Sequence, residues 1–170
     1  ARKLLSGILI AVLLATLIIG LFTGSLNLAL LSLIPNLLPL LLISGFMGLT
    51  GIPLKVSSAL VFTIVYGIAV DDTIHFLNSY HINKQIFNNR QDAIAATITA
   101  MWKPMTYTSI VLASGFMIFT LSEFPSISLL GYLVSASMVV ALFADLVVLP
   151  LLLKSGNKFK SLSGLKQKTY

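Results

Sequence analysis

Residues 59–77 read ALVFTIVYGIAVDDTIHFL, an apolar run interrupted near its end by two adjacent acids and a histidine. About twenty helical residues cross a ~30 Å hydrocarbon core, so this stretch is long enough to span a membrane. Its apolar residues fall on every side of a helix, whereas barrel strands alternate apolar and polar positions over ~10 residues. Comparable runs lie at 4–22, 28–49, 104–121 and 127–153. The fold class expected is therefore an all-α polytopic membrane bundle with five transmembrane helices.

Composition agrees. Of 170 residues, 57% are hydrophobic and 9% charged, against ~25% charged in average soluble domains. The net charge of +6 comes from few groups, and reads as membrane orientation and contact with membrane lipids, not as a nucleic-acid footprint. There is no cysteine, which excludes disulfides and thiolate metal sites. With two histidines in the chain, no metal-ligand spacing is present, and neither GxxxxGK[ST] nor GxSxG occurs, so no enzyme and no cofactor are expected.

Connections at 23–27, 50–58 and 122–126 are short and contain Gly, Pro, Ser or Asn. The segment 78–103 is longer and polar, with Phe87, Ile94, Ile98, Met101 and Trp102 near helical spacing, and is read as an interfacial helix over about 84–102. Residues 154–170 carry five lysines and are read as a basic, solvated tail. Five spans put the termini on opposite sides. The positive-inside rule places Lys84, Arg90, Lys103 and the tail in the cytoplasm, with Arg2, Lys3 and Lys55 outside, which gives an external N-terminus. The run at 4–22 exceeds a signal-peptide core of ~7–15 residues. With Ala at position 1, the chain is expected to be the end of a longer polypeptide.

Among 11 Lys and Arg and 5 Asp and Glu, only Asp71, Asp72 and Asp145 fall inside the spans. A charge at mid-membrane costs ~2.5–3.5 kcal/mol on insertion scales, so such acids face a protein interior or a water-filled path and mark proton relays. Asp71 and Asp72 are adjacent like charges and are expected to titrate as a coupled unit. His75 follows one turn later, within helical reach of either acid. Asp145 reads first as a structural contact to Thr or Ser on a neighbouring helix and second as a relay partner. Thr106, Thr108 and Ser109 open the fourth span, where their hydroxyls serve either the Asp pair or local helix packing. Pro35 and Pro39, in PNLLP, each remove a backbone donor and are expected to bend or loosen the second span, as a moving part or as a fixed kink.

The stretch GIAVDDTIHFLNSY (67–80) resembles the Asp-bearing transmembrane helix of the resistance-nodulation-division superfamily of exporters. Three further pieces resemble that superfamily in matching order: SLIPNLLPLLLISGFMGLTGIPL (32–54), KPMTYTSIVLASGFMIF (103–119) and ALFADLVVLPLLL (141–153). The TIHF continuation is more similar to the branch of predicted lipid or hydrophobic-molecule exporters related to mycobacterial large membrane proteins than to drug-efflux pumps. The resemblance implies helices two to six of a six-helix repeat in a bacterial inner membrane. A first repeat and external domains would then lie elsewhere, in the same chain or a partner subunit, and a homo-oligomer stays open. It further implies that Asp71 and Asp72 occupy the proton-relay position, Thr108 and Ser109 a polar position beside it, and that protons are the coupling ion. Drug-efflux members pair their acids with an intramembrane Lys, which these spans lack. The competing readings are a lipid-sensing or scaffolding bundle like the sterol-sensing domains, and an accessory subunit without transport of its own.

Overall fold

A computed structural model of the chain describes residues 2–53 and 56–155. Five helices follow one another: α1 (Arg2–Thr23), α2 (Leu26–Thr50), α3 (Val56–Ile86), α4 (Arg90–Met117) and α5 (Pro125–Phe143). A 3₁₀ turn, Ile118–Leu121, extends α4, and a π-helical turn, Ala144–Val148, extends α5 before the helix resumes over 149–155. No strand occurs among the described residues. Four of the helices are long and apolar enough to cross a membrane: 26–50, 59–86, 90–121 and 125–155. The expected first span lies on α1, whose apolar described portion is Leu9–Thr23.

The helix ends follow from local chemistry. Gly24 (φ 59°) and Gly51 (φ 70°) take the left-handed backbone that a side chain would strain, and the Gly51 N–H donates back to the Met47 carbonyl. Asn89 caps α4 by accepting from the Gln91 N–H at 3.1 Å. Pro125 opens α5, where its missing N–H breaks no bond.

One expectation needs correction. Residues 84–102 do not form a separate surface helix. They are divided between the end of α3, a break at 87–89 and the first half of α4, which runs unbroken through Pro104. At 1.5 Å per residue, α3 with 31 residues is about 46 Å long and overreaches a ~30 Å core, so its polar end continues as helix beyond the apolar layer. The Asn83 amide ties this end to α4 by donating to the Thr97 hydroxyl at 3.0 Å. Pro35 and Pro39 lie buried inside a continuous α2, neither one ending it. The tail beyond Ser155, with four of its lysines, and Lys55 lie outside the described residues.

α3 is the central helix and packs on all four others. Above and below its acidic segment lie two apolar clusters. One joins Val61, Val65 and Tyr66 to Leu40 and Met47 of α2 and Met138 of α5. The other joins Phe76, Leu77 and Tyr80 to Ile19, Ala29 and Leu149. The outside of the bundle is apolar as well: Leu13 and Leu21 on α1, Ile110 and Val111 on α4, and Val139 and Phe143 on α5 are all exposed. Apolar surface of this extent is stable against lipid, not water.

α4 and α5 meet most closely at Gly131, where an added Cβ would sit 2.7 Å from the Phe116 carbonyl oxygen. Ser128 and Ser135, on either side, donate to the carbonyls of Thr120 and Ala113 at 3.1 and 2.9 Å. Small residues that let backbones approach are the usual basis of helix association in lipid. Gly131→Ala is expected to destabilise the bundle by about 1–3 kcal/mol through overpacking. Gly45→Ala, at a site with nothing within 4 Å, should leave the detergent unfolding midpoint unchanged or raise it.

Candidate functional site

The acids of α3 part company immediately. Successive helical residues point about 100° apart, so the two adjacent carboxyls differ in how far they turn toward the bundle. Asp71 points outward, with 72% of its side chain exposed, and sits 3.6 Å from His75 Nε2 one turn on. Asp72 turns inward and is 9% exposed. Both still line one open groove of about 720 Å³ between α3 and α4, together with His75, Pro104, Thr108 and Val111. The expected pair is therefore two groups of unequal exposure at one groove, Asp71 open and Asp72 largely buried.

The hydroxyls of α4 do not reach the acids. Thr106 donates to the Trp102 carbonyl at 2.6 Å, and the single Thr108 hydroxyl lies 3.1 and 3.0 Å from the carbonyls of Pro104 and Met105, either of which can accept from it, all on their own helix. Thr108 contributes to the groove wall, and Ser109 is buried within the bundle. Thr106 and Thr108 thus bond within their own helix, Thr108 doing so at the wall of the groove that holds the acids.

Asp145 is placed deepest of the three. It is 1% exposed and lies on the π-helical turn. Its Oδ1 is 2.7 Å from Thr73 Oγ1 of α3, and Thr73 Oγ1 is also 2.7 Å from Asn36 Oδ1 of α2. Asn36 and Thr73 are themselves 1% and 0% exposed. One polar chain thus runs through α2, α3 and the end of α5. Asp72, beside Thr73, is near enough to Asp145 for their charges to repel. Three carboxyls consequently step from an open groove to the bundle interior. No group of three metal-ligating side chains occurs among the described residues.

Asn36 and Thr73 were not among the residues singled out from the sequence. A signal for Asn36 exists: it is a lone amide in an apolar span, flanked by Pro35 and Pro39, and polar residues inside spans act as contacts between helices. Thr73 follows the two acids directly and is overshadowed by them. The widened turn at Asp145 has a local cause in Pro150, which has no N–H and whose ring presses on the carbonyl one regular turn earlier, that of Leu146. In the π turn the Leu149 N–H instead donates to the Ala144 carbonyl, giving that region extra room.

Compared with known proteins, the sequence matches a family model described as the MMPL family over residues 1–169. No curated protein and no solved structure matches it.

The geometry separates the acids by structural weight. Thr73→Val, which keeps the volume and removes the hydroxyl, should lower stability in detergent by about 1 kcal/mol, the scale of interhelical hydrogen bonds in membranes. Asp71→Asn, on the exposed face, should shift it by less than about 0.5 kcal/mol. Equal losses in chemical unfolding would contradict this division.

Proposed function

This chain belongs to the MMPL family, and from that premise we propose that it is the membrane part of a proton-driven exporter of lipids or other hydrophobic molecules, with Asp71 and Asp72 as its proton relay. The observation that carries the reading is the unequal exposure of two adjacent carboxyls that line one groove in mid-helix, Asp71 open to it and Asp72 largely buried against the bundle. An exposed carboxylate at that depth is costly against lipid. The groove is therefore a water-filled path or a face covered by further protein, and the second repeat of such exporters is the partner proposed for it.

In this scheme a proton enters through the groove, is held by Asp71 or Asp72 and leaves toward the cytoplasm when α3 shifts against its neighbours. Neutralising the acids removes their mutual repulsion and their hold on His75, which gives the proton a mechanical consequence. Protons are the only coupling ion proposed, no cofactor is needed, and the reaction is transport without covalent chemistry. The membrane is the bacterial cytoplasmic one, with the N-terminus external and the C-terminus internal. The apolar substrate class is supported by the TIHF continuation after the acids, which resembles the branch of lipid or hydrophobic-molecule exporters.

A second reading is a lipid-sensing bundle without transport. It is favoured by one feature: no Lys or Arg lies within the apolar spans to alternate as a partner for the acids. The test that separates the two is export by the complete transporter in vesicles under an imposed proton gradient. The Asp71→Asn, Asp72→Asn double variant should insert normally and lose gradient-dependent export. Undiminished export would overturn the relay, and lipid binding that persists without any gradient, with no proton uptake, would favour the sensor.

A further inference from the structure

The Asn36–Thr73–Asp145 chain contains a proton-counting problem. Thr73 has one hydroxyl hydrogen and two oxygen neighbours, each at 2.7 Å. A hydroxyl donates once and accepts otherwise, so only one of the two contacts can be closed by Thr73. The other must be closed by a hydrogen on its neighbour. When Asn36 presents Oδ1 to Thr73, that hydrogen belongs to Asp145: the carboxylic acid donates to Thr73, and Thr73 donates to Asn36. If Asp145 is ionised, both of its oxygens only accept. Thr73 must then donate to Asp145, and Asn36 must turn its amide so that Nδ2 donates to Thr73.

We propose that this buried chain is a proton-binding site, centred on Asp145, whose occupancy sets the direction of the hydrogen bonds linking α2, α3 and the π turn. Loading the proton runs the chain from Asp145 to Asn36, and releasing it reverses the chain and rotates the Asn36 amide. The charge in the unloaded state is isolated. α2 and α5 contribute no acid, base or histidine of their own, and from α3 the group facing Asp145 is Asp72, a like charge, while Asp71 and His75 lie on the outer side. The two elements at the ends of the chain each have a weakened backbone ladder. Asn36 sits between Pro35 and Pro39, which cannot donate to the carbonyls one turn earlier, and Asp145 sits in the π turn. Reversal of the chain is therefore coupled to segments able to adjust.

The site stands on geometry, and rests on the proton-relay reading for its part in transport, so the experiment reads the two separately. The probe is the proton, and the readout is infrared difference spectroscopy of the complete transporter in lipid between acidic and alkaline buffer. Asp145→Asn should delete one carboxylic-acid carbonyl band that the Asp71→Asn, Asp72→Asn double variant retains. Thr73→Val should move that band to higher frequency, and Thr73→Ser should restore it. A full set of bands in Asp145→Asn overturns the proposal. If that variant does not fold, a band unmoved in Thr73→Val overturns it instead. Failure of the relay reading looks different: export would survive in the double Asn variant while the Asp145 band assignment stood.

Discussion

Hydrocarbon supplies no hydrogen bonds, so a polar side chain within the bundle is costly unless it finds a partner on another helix or on its own backbone, a condition that Thr73 meets and the buried Tyr66 hydroxyl does not. The contact of Thr73 with both Asn36 and Asp145 is the point where that requirement is met across the bundle. It fixes the rotation of α3 about its axis, since Thr73 can face α2 and α5 only in one register. With that rotation set, Asp72 turns inward beside it and Asp71 turns out to the groove. The apolar clusters on either side pack equally well around many side chains of suitable volume. The polar layer between them makes one arrangement preferred.

Magnitudes indicate how such a layer can both hold and move. Interhelical hydrogen bonds in membranes contribute ~0.6 kcal/mol on average and up to about 1.7 kcal/mol. One elementary charge crossing 100 mV releases about 2.3 kcal/mol. One charge moved through such a potential therefore matches the exchange of one polar contact for another, but falls short of unpacking Phe76 from its cluster, since removing a buried Phe side chain costs about 3–5 kcal/mol. Helix segments already lacking backbone bonds, at Pro35, Pro39, Pro104 and the turn before Pro150, offer least resistance to such an exchange.

Much of this architecture is legible in the sequence because lipid imposes a coarse rule. Long apolar runs identify the spans, and Asp71, Asp72 and Asp145 stand out against them. What the sequence leaves open is direction and depth. Adjacency of Asp71 and Asp72 suggests one joint site, and only the packed helix gives them unequal exposure. The partners of Asp145 lie 72 residues away at Thr73 and, through it, at Asn36, and no local pattern encodes such a meeting. The polar stretch 84–102 misleads for the opposite reason. Polarity suggests an interfacial element, whereas α3 and α4 simply continue into water as a hairpin, held by Asn83 and Thr97.

That hairpin makes α3 a lever. From Asp71 to Ile86 the helix continues for about 22 Å at 1.5 Å per residue. A tilt of about 5° pivoting at the acids would displace the far end by about 2 Å, with α4 carried along through the Asn83 contact. A change too small to notice among buried side chains thus reaches the far end of the helix amplified.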